Sequence, residues 1–175
     1  NTTQKSVLFV KNEAKGQVVT CKEGLSFWGG VDPDTGVIID VHHPNHGEIL
    51  AGKIVLMPTS RGSCSGSGVL LQLARNGFAP KALVFRETED ILTLGAFIAA
   101  RLFNSHIAVL RLAPEIYDAL STSKEAEIND NTLHFLGQSI PLNLPSTQSL
   151  QLNKSDLDIL EGCDGQARQI AMEVI

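Results

Sequence analysis

The spacing of hydrophobic residues divides the chain into a β-rich front half and a back half in which strands and helices alternate. Short apolar runs containing β-branched residues predict strands at Val7–Val10 and at residues 18–20, 37–41 and 53–57. A turn is predicted between the second and third of these, over Asp32-Pro33-Asp34-Thr35-Gly36, because proline presets φ and glycine supplies a positive φ.

Beyond residue 57 the periodicity lengthens to that of helices. Apolar positions from Val69 predict a helix that ends at Asn76-Gly77, a good C-cap. The elements predicted after it are a strand at Ala82–Phe85, a buried helix at 91–103, a strand at 107–112, a short helix at Pro114–Leu120, and a hairpin of Glu125–Asn129 with 132–136. Strands alternating with helices favour a parallel arrangement, so the sequence predicts a mixed α/β fold.

The composition of the chain changes again near its end. Residues 141–151 are low in charge and contain two prolines, as a linker would. Amphipathic segments follow at 157–160 and 166–175, and the second stops without a cap. We therefore expect one domain over residues 1–145, with residues 146–175 forming a linker and the first helices of a second domain.

Composition and charge exclude several classes of protein. Of the 175 residues, 43% are hydrophobic and 19% are charged, which is typical of a globular protein. Lys and Arg number 14 against 19 Asp and Glu, so no basic stripe is available for nucleic acid or an anionic membrane. Neither an apolar run of about 18 residues nor a signal peptide is visible. Three widely separated cysteines favour a reducing compartment, and hence the cytoplasm.

The segment from Pro58 to Gly68, called the Gly/Ser segment below, is the strongest candidate for chemistry. It follows a predicted buried strand and precedes a helix, where backbone N–H groups and the helix dipole favour an anion. From Arg61 onwards it contains three glycines, which permit close approach of a ligand, and three serines. Arg61 adds a charge suited to a carboxylate, and a serine of lowered pKa is able to act as base or acid. The alternative is a flexible helix cap without chemistry.

Other polar clusters are weaker candidates. His42, His43 and His46 suggest a metal site, but histidines in a loop with proline and glycine are more often exposed to solvent. Glu87 and Glu89 either orient the Gly/Ser segment, bind a substrate ammonium group, or cap the helix that follows. The cysteines lack the close spacing of metal ligands, so the sequence predicts no complete metal site in this chain.

An ordered set of motifs resembles the aconitase X family. It comprises Gly29-Gly30-Val31-Asp32-Pro33, Gly36, Asp40, Gly52-Lys53, Pro58, Gly62-Ser63-Cys64-Ser65-Gly66-Ser67-Gly68, Asn76-Gly77, Ala79-Pro80-Lys81-Ala82, Glu87-Thr88-Glu89, Gly95-Ala96, Leu160-Glu161-Gly162, Gly165 and Ala171-Met172. The last three resemble the opening of the large catalytic domain of that family. The resemblance implies a swivelling β/β/α domain, like that of aconitase, which closes over the catalytic domain.

The resemblance also implies an activity and a set of site residues. The family consists of hydro-lyases, and a serine of the Gly/Ser segment is the general base. Ser63 is the expected base because it directly follows Arg61 and Gly62 in the matching motif, with Ser65 and Ser67 as rivals. Cys64 stands where related sequences often have Ser or Thr. The residues expected to bind substrate are Arg61, Gly62, Cys64, Ser65 and Ser67.

The expected reaction is removal of water from a small hydroxy acid. The swivel part is fused ahead of the catalytic part in many bacterial members, and for such enzymes cis-3-hydroxy-L-proline is the expected substrate. The resemblance implies that iron, as an ion or an iron–sulfur cluster, is held by cysteines of the large domain. The alternatives are the small part of a mevalonate 5-phosphate dehydratase and a swivelling module that binds ligand without chemistry.

Overall fold

A computed structural model of the chain describes residues 6–61 and 65–144. Its elements, in chain order, are β1 (Val7–Val10), β2 (Ala14–Thr20), β3 (Ile54–Met57), α1 (Ser65–Asn76), β4 (Ala82–Phe85), α2 (Ile91–Leu102), β5 (Ala108–Arg111), α3 (Pro114–Leu120), β6 (Glu125–Asn129), β7 (Thr132–Phe135) and β8 (Gln138–Pro141). No helix within these described ranges is long and apolar enough to cross a membrane.

The strands form one curled sheet with the order β1-β5-β4-β3-β2-β6-β7-β8. Strands β2 to β5 are parallel to one another. The alternation of strands and helices predicts this arrangement for β3 to β5. Strand β2 joins the two halves of the sheet, since Ala14 to Gln17 pair with β6 and Val18 to Thr20 pair with β3. The carbonyl oxygen of Asn143 accepts a hydrogen bond from the Leu8 N–H at 2.9 Å. The segment that follows β8 is therefore joined to β1, at the opposite edge of the sheet.

The sheet is buried on both faces. In β3, Val55 and Met57 pack with α1 and α2, whereas Ile54 and Leu56 point into the space enclosed by α3 and β6 to β8. Successive side chains of a strand point to opposite faces, so a strand covered on both sides is apolar at every position. The fold therefore has three layers: helices α1 and α2, the parallel part of the curled sheet, and the antiparallel part that curls over its other face. These layers confirm the predicted mixed α/β class and β/β/α domain.

The ends of α1 show how local sequence sets its length. Gly77 has a φ of +82°, its N–H bonds to Ala74 O at 3.3 Å, and the Phe78 N–H bonds to Leu73 O at 2.9 Å. These two bonds form a Schellman motif, which confirms the predicted C-cap. The helix begins at Ser65, four residues before the predicted start at Val69, because the Ser-Gly-Ser-Gly sequence masks the helical pattern.

One prediction about the strands is wrong. Residues 37–41 make only isolated bridges, Val37 with Ile49 and Ile38 with Val31, because turns flank this run on both sides. Residues 141–144, although their composition resembles that of a linker, are part of the fold: Pro141 ends β8, and Leu142 is buried in the core. The proposed boundary at 145 and all of residues 146–175 lie outside the described residues.

Candidate active site at the carboxyl ends of the parallel strands

Two loops lie side by side where β3 and β4 end. The Arg86 and Glu87 N–H groups both donate to Pro58 O, at 3.1 and 3.0 Å. The Thr59 hydroxyl donates to Thr88 O at 3.3 Å. Each loop leads into a helix, α1 after β3 and α2 after β4. The carboxyl ends of parallel strands are the usual place for a ligand site in α/β proteins, so the geometry favours the predicted location of the site.

Glu89 is the carboxylate that organises this edge. It is only 8% exposed. Its Oε2 accepts from the N–H groups of Ile91 and Leu92 at 3.1 and 2.9 Å, and its Oε1 accepts from the Thr93 N–H at 3.0 Å. These N–H groups have no partner inside the helix, and a negative charge at this end is favoured by the helix dipole. The interpretation of Glu89 as a helix cap is therefore confirmed, although Asp90 occupies the formal N-cap position.

The same carboxylate also orients the start of the Gly/Ser segment. The Ser60 hydroxyl donates a hydrogen bond to Oε2 of Glu89. Glu89 therefore both caps α2 and orients the Gly/Ser segment, two roles that the sequence analysis gave as alternatives. Ser60 was not singled out in the sequence, although it stands one residue before Arg61 in the Gly/Ser segment. Glu87, the other carboxylate considered, is exposed.

Arg61 lies at the rim of this edge. Its N–H donates to Leu25 O at 3.2 Å, which fixes the backbone. Its Nη1 lies 3.5 Å from Oε1 of Glu23, and the two side chains are 66% and 47% exposed. An exposed pair of this kind contributes little stability, so the guanidinium is available to a ligand at small cost. Gly62, Ser63 and Cys64 follow it and lie outside the described residues.

Ser65 and Ser67 belong to α1 and are buried, at 5% and 1% exposure. Both are engaged in interactions within the fold. At Ser67 the two helices approach closely, since a Cβ on Gly95 of α2 would lie 3.3 Å from both Cα and Cβ of Ser67. The glycine of the Gly95-Ala96 motif therefore has a packing reason, because a Cβ at this position would be in unusually tight contact with Ser67.

Two further arginines stand at this edge and were missed in the sequence. Arg86 follows β4, and its Nε lies 3.3 Å from Oδ1 of Asp118 in α3. Arg111 ends β5; its Nη1 donates to the Thr88 hydroxyl at 3.4 Å, and its Cζ lies 5.5 Å from the centre of the Phe9 ring. The sequence signal was an arginine directly after the predicted strand at Ala82–Phe85 and another within the predicted strand at 107–112. This positive charge gathers only when β3, β4 and β5 are neighbours.

The histidine loop has a structural role. His43 is buried; its Nδ1 accepts from the Asn45 N–H at 3.0 Å, and its Nε2 lies 3.2 Å from Glu23 O. His42 and His46 are exposed. The expected exposure of the histidines to solvent holds for His42 and His46 and is wrong for His43, whose contacts tie residues 42–47 to the neighbouring loop.

The described residues do not fit an iron site. Among them, no group of three or more His, Cys, Asp or Glu is placed to hold a metal ion. Cys21 is buried, and desolvation, with a smaller effect of the Glu48 carboxylate, raises the pKa of its thiol to about 12. Since a cysteine binds metal as the thiolate, Cys21 is a poor ligand.

Comparisons with known proteins agree with the fold and the motifs. A family model described as the aconitase X swivel domain matches residues 3–135. Over 186 aligned residues the chain is 40% identical to the cis-3-hydroxy-L-proline dehydratase of Hypocrea jecorina, covering all of this chain and 31% of that protein. Over 89 residues it is 51% identical to the phosphomevalonate dehydratase small subunit of Pyrococcus abyssi, covering 51% of this chain and 68% of that one.

A solved structure is similar as well. The crystal structure of Thermococcus kodakaraensis aconitase X in its holo-form superimposes with a TM-score of 0.64 and 31% identity, covering 75% of this chain and 96% of the other. The chain spans about a third of the length of the hydroxyproline dehydratase that it matches. On its sequence motifs, its curled sheet and these matches, the chain belongs to the aconitase X family, of which it carries the swivel domain.

Proposed function

We propose that this chain is the swivel part of a dehydratase, a carbon–oxygen lyase that removes water from cis-3-hydroxy-L-proline. The observation that carries the proposal is the 40% identity, along the whole of this chain, to a relative named for that activity. The edge formed by the β3 and β4 loops supports it, because an arginine and a helix N-terminus converge there and both favour a substrate carboxylate.

Within this site Ser63 is the general base. It stands in the sequence between Arg61, at the end of the β3 loop, and Ser65, at the start of α1. A base in this position takes the proton from the carbon next to the substrate carboxylate, which begins the elimination. The positive end of the α1 dipole and the guanidinium of Arg61 stabilise the negative charge that then develops on the substrate. The residues that bind substrate beside it are Arg61, Gly62, Cys64, Ser65 and Ser67.

The catalytic part of the enzyme lies outside residues 1–145. Iron, as an ion or an iron–sulfur cluster, is held by that part, and membership of the aconitase X family supports this assignment. Residues 146–175 form the linker and the first helices leading into it. The swivel part and the catalytic part work together whether they are one polypeptide or two. The few, scattered cysteines support a cytoplasmic location, because they are typical of a reducing compartment.

A mevalonate 5-phosphate dehydratase is the second candidate. It is favoured by the 51% identity to an archaeal small subunit of that name. That match covers half of this chain, however, whereas the hydroxyproline dehydratase matches all of it. The longer match is the better guide to the substrate.

A substrate comparison tests the proposal. The swivel part, together with its catalytic part, is incubated anaerobically with cis-3-hydroxy-L-proline or with mevalonate 5-phosphate, and loss of each substrate is followed by mass spectrometry. We expect turnover of the hydroxyproline only. Turnover of mevalonate 5-phosphate alone would establish the second candidate, and turnover of neither would favour a binding module without chemistry.

A further inference from the structure

Arg111 is a cation without a counter-ion in the described part of the fold. Its side chain is half-buried at the end of β5. Its Nη1 has one long hydrogen bond, 3.4 Å, to the Thr88 hydroxyl, and its guanidinium lies over the ring of Phe9. The Nε–H is buried and has no hydrogen-bond partner there. A buried donor left in this state costs free energy, and the charge of Arg111 is likewise left without a neutralising group among the described residues.

The neighbouring arginines differ in this respect. Arg61 pairs with Glu23 at 3.5 Å and Arg86 pairs with Asp118 at 3.3 Å. Arg111 has no such carboxylate within ion-pair distance in the described residues. Glu89, the buried carboxylate on the same loop as Thr88, is already occupied by Ser60 and the first N–H groups of α2. Among the three arginines of this edge, Arg111 is therefore the one without a paired carboxylate in the described residues.

Arg111 is also connected to the Gly/Ser segment. Thr88 accepts from the Arg111 guanidinium through its hydroxyl and from the Thr59 hydroxyl through its carbonyl, at 3.4 and 3.3 Å. Thr88 therefore links Arg111 to Thr59, which belongs to the Gly/Ser segment two residues before Arg61. The packing of Phe9 against the guanidinium restricts its orientation, which reduces the entropy lost when a ligand binds.

We propose that Arg111 is a substrate-binding residue that takes the carboxylate of the substrate; this rests on the proposed dehydratase function. The Nη groups of the guanidinium form a fork that matches the two oxygens of a carboxylate. Arg61, which is exposed and paired with Glu23, lies at the rim of the same edge. A carboxylate offered by an Asp or Glu of the catalytic part has the same chemistry, and the test separates these two sources.

The test uses the swivel part together with its catalytic part. Arg111→Gln and Arg111→Lys are compared with Arg86→Gln, a matched change at an arginine already paired with Asp118. Steady-state kinetics give kcat and KM for cis-3-hydroxy-L-proline. Titration calorimetry gives the affinities of L-proline and L-prolinamide, which differ in the carboxylate. We expect Arg111→Gln to raise KM on the order of 10- to 100-fold and to remove most of the preference for L-proline.

Each other outcome has a definite meaning. Arg111→Lys is expected to keep part of the preference, because it retains the charge without the fork. If Arg111→Gln keeps the wild-type preference for L-proline while kcat falls, Arg111 faces a carboxylate of the catalytic part, and the inference is wrong although the dehydratase function stands. If the wild-type enzyme turns over no cis-3-hydroxy-L-proline, the proposed function fails and this inference fails with it.

Discussion

The hydroxyl of Ser60 donates a hydrogen bond to the carboxylate of Glu89, 29 residues further along the chain. The same carboxylate caps α2, so one buried side chain holds both the start of the Gly/Ser segment and the start of the neighbouring helix. The position of the segment is therefore coupled to the N-terminus of α2. A change at Glu89 is expected to affect stability and the geometry of the site together.

Replacing Glu89 with alanine tests this double role. The change removes a charged acceptor from the first N–H groups of α2, and we expect a loss of about 2 kcal/mol in the free energy of unfolding. Glu87→Ala is the matched control, since Glu87 is exposed on the same loop, and its expected change is within about 0.5 kcal/mol. Urea unfolding measures both. Equal effects of the two substitutions would argue against a capping role for Glu89.

The parts of the fold that follow local patterns were predictable from the sequence. Strand β4 and helix α3 have the predicted bounds because a continuous apolar run and a proline-initiated helix are local signals. Residues 37–41 have the composition of a strand but lack a continuous partner, since pairing is decided elsewhere in the chain. Strand β8 was missed because it is short, mostly exposed and defined by its pairing with β7.

The candidate site was predictable in location but not in its contacts. The Gly/Ser segment between a strand and a helix indicated an anion site from its residue types alone. Ser60 with Glu89, and Thr88 with Arg111, meet only because β3, β4 and β5 are neighbours in parallel register. The periodicity of hydrophobic residues does not determine the order of strands in a sheet. These contacts could therefore not be predicted from the sequence.

Gly95→Ala is expected to disturb the contact between the two helices. The added Cβ would lie 3.3 Å from Cδ2 of Leu70 and from Cα and Cβ of Ser67, and overpacking of this kind costs about 1–3 kcal/mol. The better helix propensity of alanine offsets up to about 1 kcal/mol of that. Gly66→Ala is the control, because a Cβ there meets only ordinary contacts of 3.7 to 3.9 Å. Thermal unfolding should show Gly95→Ala as the less stable variant; the reverse order would contradict this packing.

Stability at high pH depends on the buried thiol of Cys21. Burial raises its pKa from 9.0 to about 12, so the folded chain keeps this proton at a pH where the unfolded chain has lost it. The contribution is fully present below pH 9 and is lost as the pH rises from about 9 towards 12. Unfolding by urea at pH 8 and pH 10.5 should show a steeper loss for the wild type than for Cys21→Ala. Equal losses would show that the thiol does not titrate in this way.

The isolated 175-residue chain is expected to bind no stoichiometric iron. Within the described ranges no metal-binding cluster occurs, and Cys21 remains protonated at neutral pH. Elemental analysis after anaerobic reconstitution measures this, with the swivel part plus its catalytic part as the positive control. One or more iron atoms per isolated chain would place metal ligands in this part of the enzyme.

The central claim is that the Gly/Ser segment supplies the general base, and kinetics of Ser63→Ala test it most directly. In the enzyme with both parts present, we expect kcat for cis-3-hydroxy-L-proline to fall by about a hundred- to ten-thousand-fold. The stability of the fold should change little. Ser65→Ala and Ser67→Ala serve as controls and should cost less in kcat, and Arg61→Ala should mainly raise KM.

The comparison of the three serine variants decides the outcome. A large loss of kcat in Ser63→Ala, with smaller losses in the other two, is the predicted result. An active Ser63→Ala enzyme beside an inactive Ser65→Ala enzyme would move the base to Ser65. If all three serine variants keep near-normal kcat, the segment is only a helix cap and the base belongs to the catalytic part, which would contradict the central claim.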